Sequence, residues 1–143
     1  MIQGILFLAL CIAAVDDLLN RSVHLSYIAA FFVGAVISQI LCPRISLSSA
    51  ILGVLFSAAL YLINILCGKA MGEGDIFVLA LCGAYLGIMD SIILFYRAIM
   101  IAGGYGLWLI TRDYIKHGKA RKKMTLPFVP CLLLSYVSMV FVP

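Results

Sequence analysis

Charge is what this chain has least of. Asp, Glu, Lys and Arg make up 11% of its 143 residues, whereas a soluble domain averages roughly 25%. Hydrophobic residues make up 65%, and the mean hydropathy is +1.19. No water-soluble fold of this length has a core large enough to hide so much apolar side chain, so lipid has to cover most of it. Metal-binding patterns are missing too. The five cysteines (Cys11, Cys42, Cys67, Cys82 and Cys131) form no C-x-x-C pair and mostly lie inside apolar runs. A zinc site needs clustered thiolates or imidazoles. The two histidines, His24 and His117, stand far apart, and His24 reads as an interfacial side chain. No metal and no cofactor are expected, and the cysteines read as small core residues. Residues 1–15 contain no Lys or Arg, so the basic region that opens a cleaved signal peptide is absent. There is no internal repeat, low-complexity segment or long linker. Gly103, Gly104 and Gly106 lack the strand–loop–helix context of a phosphate loop and suit close helix packing or a bend.

What is present is a series of six apolar runs, at residues 1–15, 25–41, 47–67, 76–89, 91–110 and 124–142. A transmembrane helix takes ~20 apolar residues, and helix is the default because open strands cannot satisfy their backbone in lipid. The expected fold is all-α: one membrane-embedded domain over residues 1–143, with about six transmembrane helices and no soluble domain. The breaks between runs carry most of the charge. Breaks one, three and five (16–24, 68–75 and 111–123) hold Arg21, Lys69, Arg112, Lys116, Lys119, Arg121, Lys122 and Lys123. The even breaks hold only Arg44, and Arg97 lies within the fifth run, where it is read as snorkelling outward or pairing with Asp90. The positive-inside rule places the odd breaks in the cytoplasm and both termini outside. The net charge of +4 is then a matter of topology and phospholipid headgroups rather than nucleic acid.

Only six residues are acidic: Asp16, Asp17, Glu73, Asp75, Asp90 and Asp113. Asp16 and Asp17 end the first apolar run and Asp75 directly precedes the fourth, and these two runs are the shortest. Fifteen residues rise ~22 Å against a hydrocarbon core of about 30 Å. A carboxylate below headgroup level is costly and is tolerated where it faces a water-filled cavity or a partner. Two aspartates from two helices are therefore expected to meet near the cytoplasmic face. Gly72-Glu73-Gly74-Asp75 supports this, because the two glycines permit close backbone approach. Paired carboxylates share one proton, since like charges nearby resist ionising together. The ionised member can take a proton from water, and the protonated one can polarise a scissile carbonyl. The blander alternative makes these aspartates helix caps or interfacial anchors. Asp16 and Asp17 lie ~100° apart on a helix, so only one of them readily faces Asp75.

Three stretches resemble the type IV prepilin and preflagellin peptidases, which are GxGD aspartyl proteases. Asp17-Leu18-Leu19-Asn20-Arg21-Ser22-Val23 is similar to the family's Asp-Leu box. Met71-Gly72-Glu73-Gly74-Asp75-Ile76 is similar to its Met-Gly-x-Gly-Asp box. Leu126-Pro127-Phe128-Val129-Pro130 is similar to the Pro-Phe-x-Pro that starts its last helix. The resemblance implies a membrane aspartyl endopeptidase with Asp17 and Asp75 catalytic and Gly72, Glu73 and Gly74 shaping the site. Its register favours Asp17, with Val23 six positions on, and leaves Asp16 to face solvent or headgroups. The implied partners are pilin-like precursors, cut at the cytoplasmic face after a short basic leader that usually ends in Gly. Glu73 is a candidate for contacting that leader. His24 and Leu25 stand where the family has Pro and Asn or Asp, and Phe77 where it often has Lys. The start at the first helix resembles the short, peptidase-only form, without methyl transfer. A signal peptide peptidase or presenilin relative ranks behind, because Asp16 rather than Tyr precedes Asp17 and the paired runs are not adjacent. The non-enzymatic alternative is a small transporter or assembly subunit whose aspartates bind protons or cations.

Overall fold

The computed structural model describes residues 2–20, 25–41, 45–68, 71–117 and 128–141. Among these there are six helices and no strand: α1 (Ile2–Asn20), α2 (Leu25–Leu41), α3 (Leu47–Leu66), α4 (Glu73–Leu86), α5 (Ile88–His117) and α6 (Val129–Phe141). Arg21–His24, Cys42, Arg44, Lys69 and residues 118–127, including Leu126 and Pro127, lie outside the described residues.

Local chemistry sets the helix ends. Ser46 caps α3, its hydroxyl accepting the Ser49 N–H at 3.3 Å, which satisfies one of the orphan donors of a first turn. After α3 the chain turns at Gly68, whose φ of 78° suits glycine. At the far end of α4, Gly87 has φ 83°, and a Cβ there would lie 2.5 Å from the Ser49 hydroxyl. That hydroxyl accepts the Ile88 N–H at 3.3 Å, so α4 can hand over to α5 in a single residue only with glycine there.

Several boundaries differ from the sequence expectation, and α4 spans Glu73–Leu86 rather than 76–89. α1 continues through Asp16 and Asp17 to Asn20 rather than ending at Val15. α5 starts at Ile88, so Asp90 sits in its first turn instead of forming a break. α5 also continues through Arg112 and Asp113 to His117, into the stretch expected to be loop. Nothing between Leu107 and His117 breaks a helix, since that segment has neither Pro nor Gly. Asp90 and Arg97 are seven residues apart along α5, about 10 Å of rise, and among the described residues no ion pair joins them.

The shortest helices do the central packing. α4 touches α1, α2, α3 and α5, while α6 packs on α1 and α5. Along α4, Ile76, Val78, Leu79, Leu81, Cys82, Gly83, Ala84 and Tyr85 are all buried. Small residues allow the close approach: Ala9, Ala13, Ala14, Ala35, Ala84 and Ala98 line the core, as packing in lipid favours. α3 and α4 cross where Gly53 meets Gly83 backbone to backbone. The Ser135 hydroxyl donates to the Leu94 carbonyl at 2.8 Å and ties α6 to α5. Phe95 meets Phe56 and Phe128 edge-on, with centroids 5.9 and 6.2 Å apart.

The exterior is apolar. α3 (Leu47–Leu66) and the Ile88–Ile115 part of α5 are long and apolar enough to cross a membrane. Only 22% and 17% of their apolar windows are buried, whereas the core helix of a soluble protein would be mostly covered. Ser26–Leu41 and Val129–Val140 are shorter apolar helices.

Candidate active site

Asp17 and Asp75 come from different helices and meet at one end of the bundle. Asp17 lies in the last turn of α1, one helical step past Asp16, and Asp75 lies in the first turn of α4. Both are half-buried, and both precede or follow the apolar runs rather than lying within them. The charge of Asp17 reaches Asp75: burial first, and then that negative charge, push Asp75 up to about 7. Asp17 is also raised, first by burial and then by the neighbouring Asp16 charge, while a hydrogen bond from the Val129 N–H opposes the rise. Asp75 therefore keeps its proton up to about pH 7, where it is half-ionised.

Val129 is the first residue of α6. Its N–H belongs to the orphan donors of a helix start, and Asp17 accepts it from across the bundle. The following residue, Pro130, has no N–H to satisfy. The Phe-Val-Pro part of the third motif thus gives the N-terminal end of α6 an anchor on Asp17, and the positive end of that helix favours the ionised carboxylate. The other carboxylate oxygen of Asp17, Oδ2, is buried and has no hydrogen-bond partner among the described residues. Cys131, two residues further along α6, is buried beside the pair, and both aspartate charges act on its thiol.

Gly72 caps α4, and Glu73 and Gly74 occupy its first two positions. A Cβ on Gly72 would stand 3.1 Å from Asp75 Oδ2. The Asp75 carboxylate thus folds back over the bare Cα of Gly72, which explains why glycine suits the first position of the Gly-Glu-Gly-Asp box. Glu73 is exposed at the rim.

Asp16 departs from expectation. It does not face solvent or headgroups. It is 8% exposed and accepts a hydrogen bond from the Tyr27 hydroxyl of α2 at 2.9 Å. The cause is the continuation of α1: a turn of ~100° per residue carries Asp16 toward α2 when Asp17 faces α4 and α6.

One contributor escaped the sequence reading altogether. Asn64 of α3 is 6% exposed, and its amide grips the Met71 backbone twice. Nδ2 donates to the Met71 carbonyl and Oδ1 accepts the Met71 N–H, both at 2.8 Å. A carboxamide three residues before the end of an apolar run was the available signal, because a polar group at that depth needs a partner.

Among the described residues no three His, Cys, Asp or Glu side chains converge as metal ligands would. The arrangement is a pair of half-buried carboxylates, one anchored on a helix start and one resting on glycine, with the exposed Glu73 in the same helical turn as Asp75. No curated protein and no solved structure matches the chain. A family model does match, over residues 4–107, a range that includes both aspartates and ends within α5. The chain belongs to the type IV leader peptidase family.

Proposed function

We propose that this membrane peptidase is an aspartyl endopeptidase in which Asp17 and Asp75 form the catalytic dyad. The observation that carries the reading is that α1 and α4 bring two half-buried carboxylates within electrostatic reach, with Asp17 accepting the Val129 N–H. Asp17, ionised and held by the Val129 N–H, is the general base that takes a proton from the attacking water. Asp75, protonated near neutral pH, donates a hydrogen bond to the scissile carbonyl and then helps to protonate the leaving amine. Gly72 and Gly74 leave the backbone bare where an extended substrate segment has to approach.

The substrates are pilin-like precursors of type IV pilus and related secretion systems, with a short basic leader before a hydrophobic helix. That helix lies in the bilayer against the apolar exterior, and the leader crosses the rim at Glu73, whose negative charge suits it. The direct experiment incubates purified protein with a full-length precursor in phospholipid vesicles and reads the product's new N-terminus by mass spectrometry. A cut after the leader supports the reading. An intact precursor together with proton or cation flux through the protein would favour the transporter alternative.

The topology that serves this chemistry is about six spans in the cell membrane, with the odd breaks cytoplasmic and both termini outside. The basic asymmetry of the breaks supports it. So does the character of α5 near its C-terminal end, where Tyr105 stacks on Trp108 at 6.0 Å and the Arg112 guanidinium lies 5.4 Å from the Trp108 ring. Exposed aromatic residues beside a cation suit the headgroup layer. Lys119→Cys should resist an impermeant thiol reagent in intact cells and react once the cells are opened. Ready labelling in intact cells would reverse the orientation and move the dyad to the outer face.

A further inference from the structure

The Gly-Glu-Gly-Asp box caps and opens α4, and one side chain of α3 holds the residue just before it. Asn64 is buried near the end of α3, and its amide makes both hydrogen bonds that the Met71 backbone can offer. Met71 is followed at once by Gly72, the residue on which the Asp75 carboxylate rests at 3.1 Å from the position of a Cβ. An amide that both donates and accepts fixes the Met71 peptide groups in position and rotation. The link from α3 to the acidic group is then three short rigid steps: amide to Met71, Met71 to Gly72, Gly72 to the Asp75 carboxylate.

We propose that Asn64 is a positioning residue for the reaction, setting the place and tilt of Asp75 by clamping the Met71 backbone. The inference rests on the dyad reading above and adds a residue outside the three family motifs. Asn64 touches neither substrate nor reacting atoms. Its effect passes through the backbone, so it belongs mainly to the chemical step. A leucine at this position has similar volume and removes both bonds, leaving the Met71 N–H and carbonyl to find other partners.

The test measures cleavage of a synthetic peptide that spans a basic leader, the glycine junction and the start of the hydrophobic helix. Rates are normalised to folded protein. Asn64→Leu should lower kcat by roughly 10- to 100-fold, the scale of a misplacement of about 1 Å, with KM changed little. Asn64→Gln, with the same amide on a longer stem, should recover part of the loss. The alkaline limb of the pH profile should move to lower pH in Asn64→Leu, because a loosened Asp75 is better solvated and ionises more easily. A purely structural role would reduce the yield of folded protein without moving that limb. If Asn64→Leu does not accumulate, Asn64→Ser removes the double clamp with less bulk, and the same two readouts apply. Wild-type kcat and an unmoved profile in the folded variant would overturn the inference. Cleavage by Asp75→Asn would instead overturn the dyad reading, so the two failures are told apart in one assay series.

Discussion

Asp17→Asn and Asp75→Asn should each lower precursor cleavage by roughly 10² to 10⁴-fold, the usual worth of a positioned general base or acid. Asp16→Asn should stay within about tenfold of the parent, less than the loss of one such role. The three residues separate because of where they point. The charge of Asp17 acts on Asp75 at the end of the bundle, whereas Asp16 is turned to Tyr27 on α2. An asparagine at 16 still accepts the Tyr27 hydroxyl. It removes the charge that helps to raise both Asp17 and Tyr27.

Asp75→Asn should also remain folded. The folded protein holds Asp75 up to about 7 against an ordinary 3.8. Stability tied to its proton is thus fully present below the ordinary value and is lost as pH rises through about 7. The neutral isostere escapes that loss, so its thermal transition should gain more at pH 8 than at pH 5. A variant that melts early at both pH values would make Asp75 a structural residue. If Asp16→Asn is dead while Asp17→Asn cleaves, the base is one residue earlier than argued.

The second large effect concerns the crossing that carries α4. A Cβ on Gly83 would lie 2.5 Å from the carbonyl carbon and oxygen of Gly53, and one on Gly53 would lie 2.6 Å from the Gly83 oxygen. These neighbours are backbone, so no rotamer change makes room. Gly83→Ala has to push α3 and α4 apart along the surface that presents both Asn64 and Asp75. Overpacking of this kind typically costs ~1–3 kcal/mol, and occasionally more. The thermal transition of the purified protein should fall by several degrees in Gly83→Ala, and Gly83→Leu should hardly accumulate. Gly103 is the control: nothing lies within 4 Å of a Cβ there. Gly103→Ala should be neutral or stabilising, since Ala is favoured over Gly by up to about 1 kcal/mol inside a helix. Equal transitions for Gly83→Ala and the parent would mean that the close crossing is not maintained.

Much of this was legible before any coordinates, for a physical reason. In a chain with six acidic residues, a carboxylate at the edge of a short apolar run is expensive, so its position carries information. Asp75 and the Asp16–Asp17 pair could be marked on that ground, the family register being what favoured Asp17, and the apolar runs marked α2 and α3 closely. The helix limits at charged residues were harder, because a helix does not end where lipid ends. α1 passes through Asp16 and Asp17, and α5 runs on to His117. The fate of Asp16 depended on the rotation of α1 against α2, which no local pattern encodes. Asn64 and the Val129 N–H were missed because each acts across a gap in sequence, the amide over seven residues and the helix start on a carboxylate more than a hundred residues away. His24 lies outside the described residues.

The most direct test of the shared-proton dyad is the pH dependence of kcat/KM for the wild-type protein, which reports the free enzyme's own groups. At low pH both carboxyls are protonated and there is no base. At high pH both are ionised and there is no acid. The profile should be a bell, rising on the acid side as Asp17 ionises and falling through about pH 7 as Asp75 loses its proton. The limbs belong to the pair as macroscopic values. A rate that keeps climbing, or holds a plateau to about pH 9, two units above the Asp75 value, would contradict a protonated Asp75 in the working enzyme and with it the dyad.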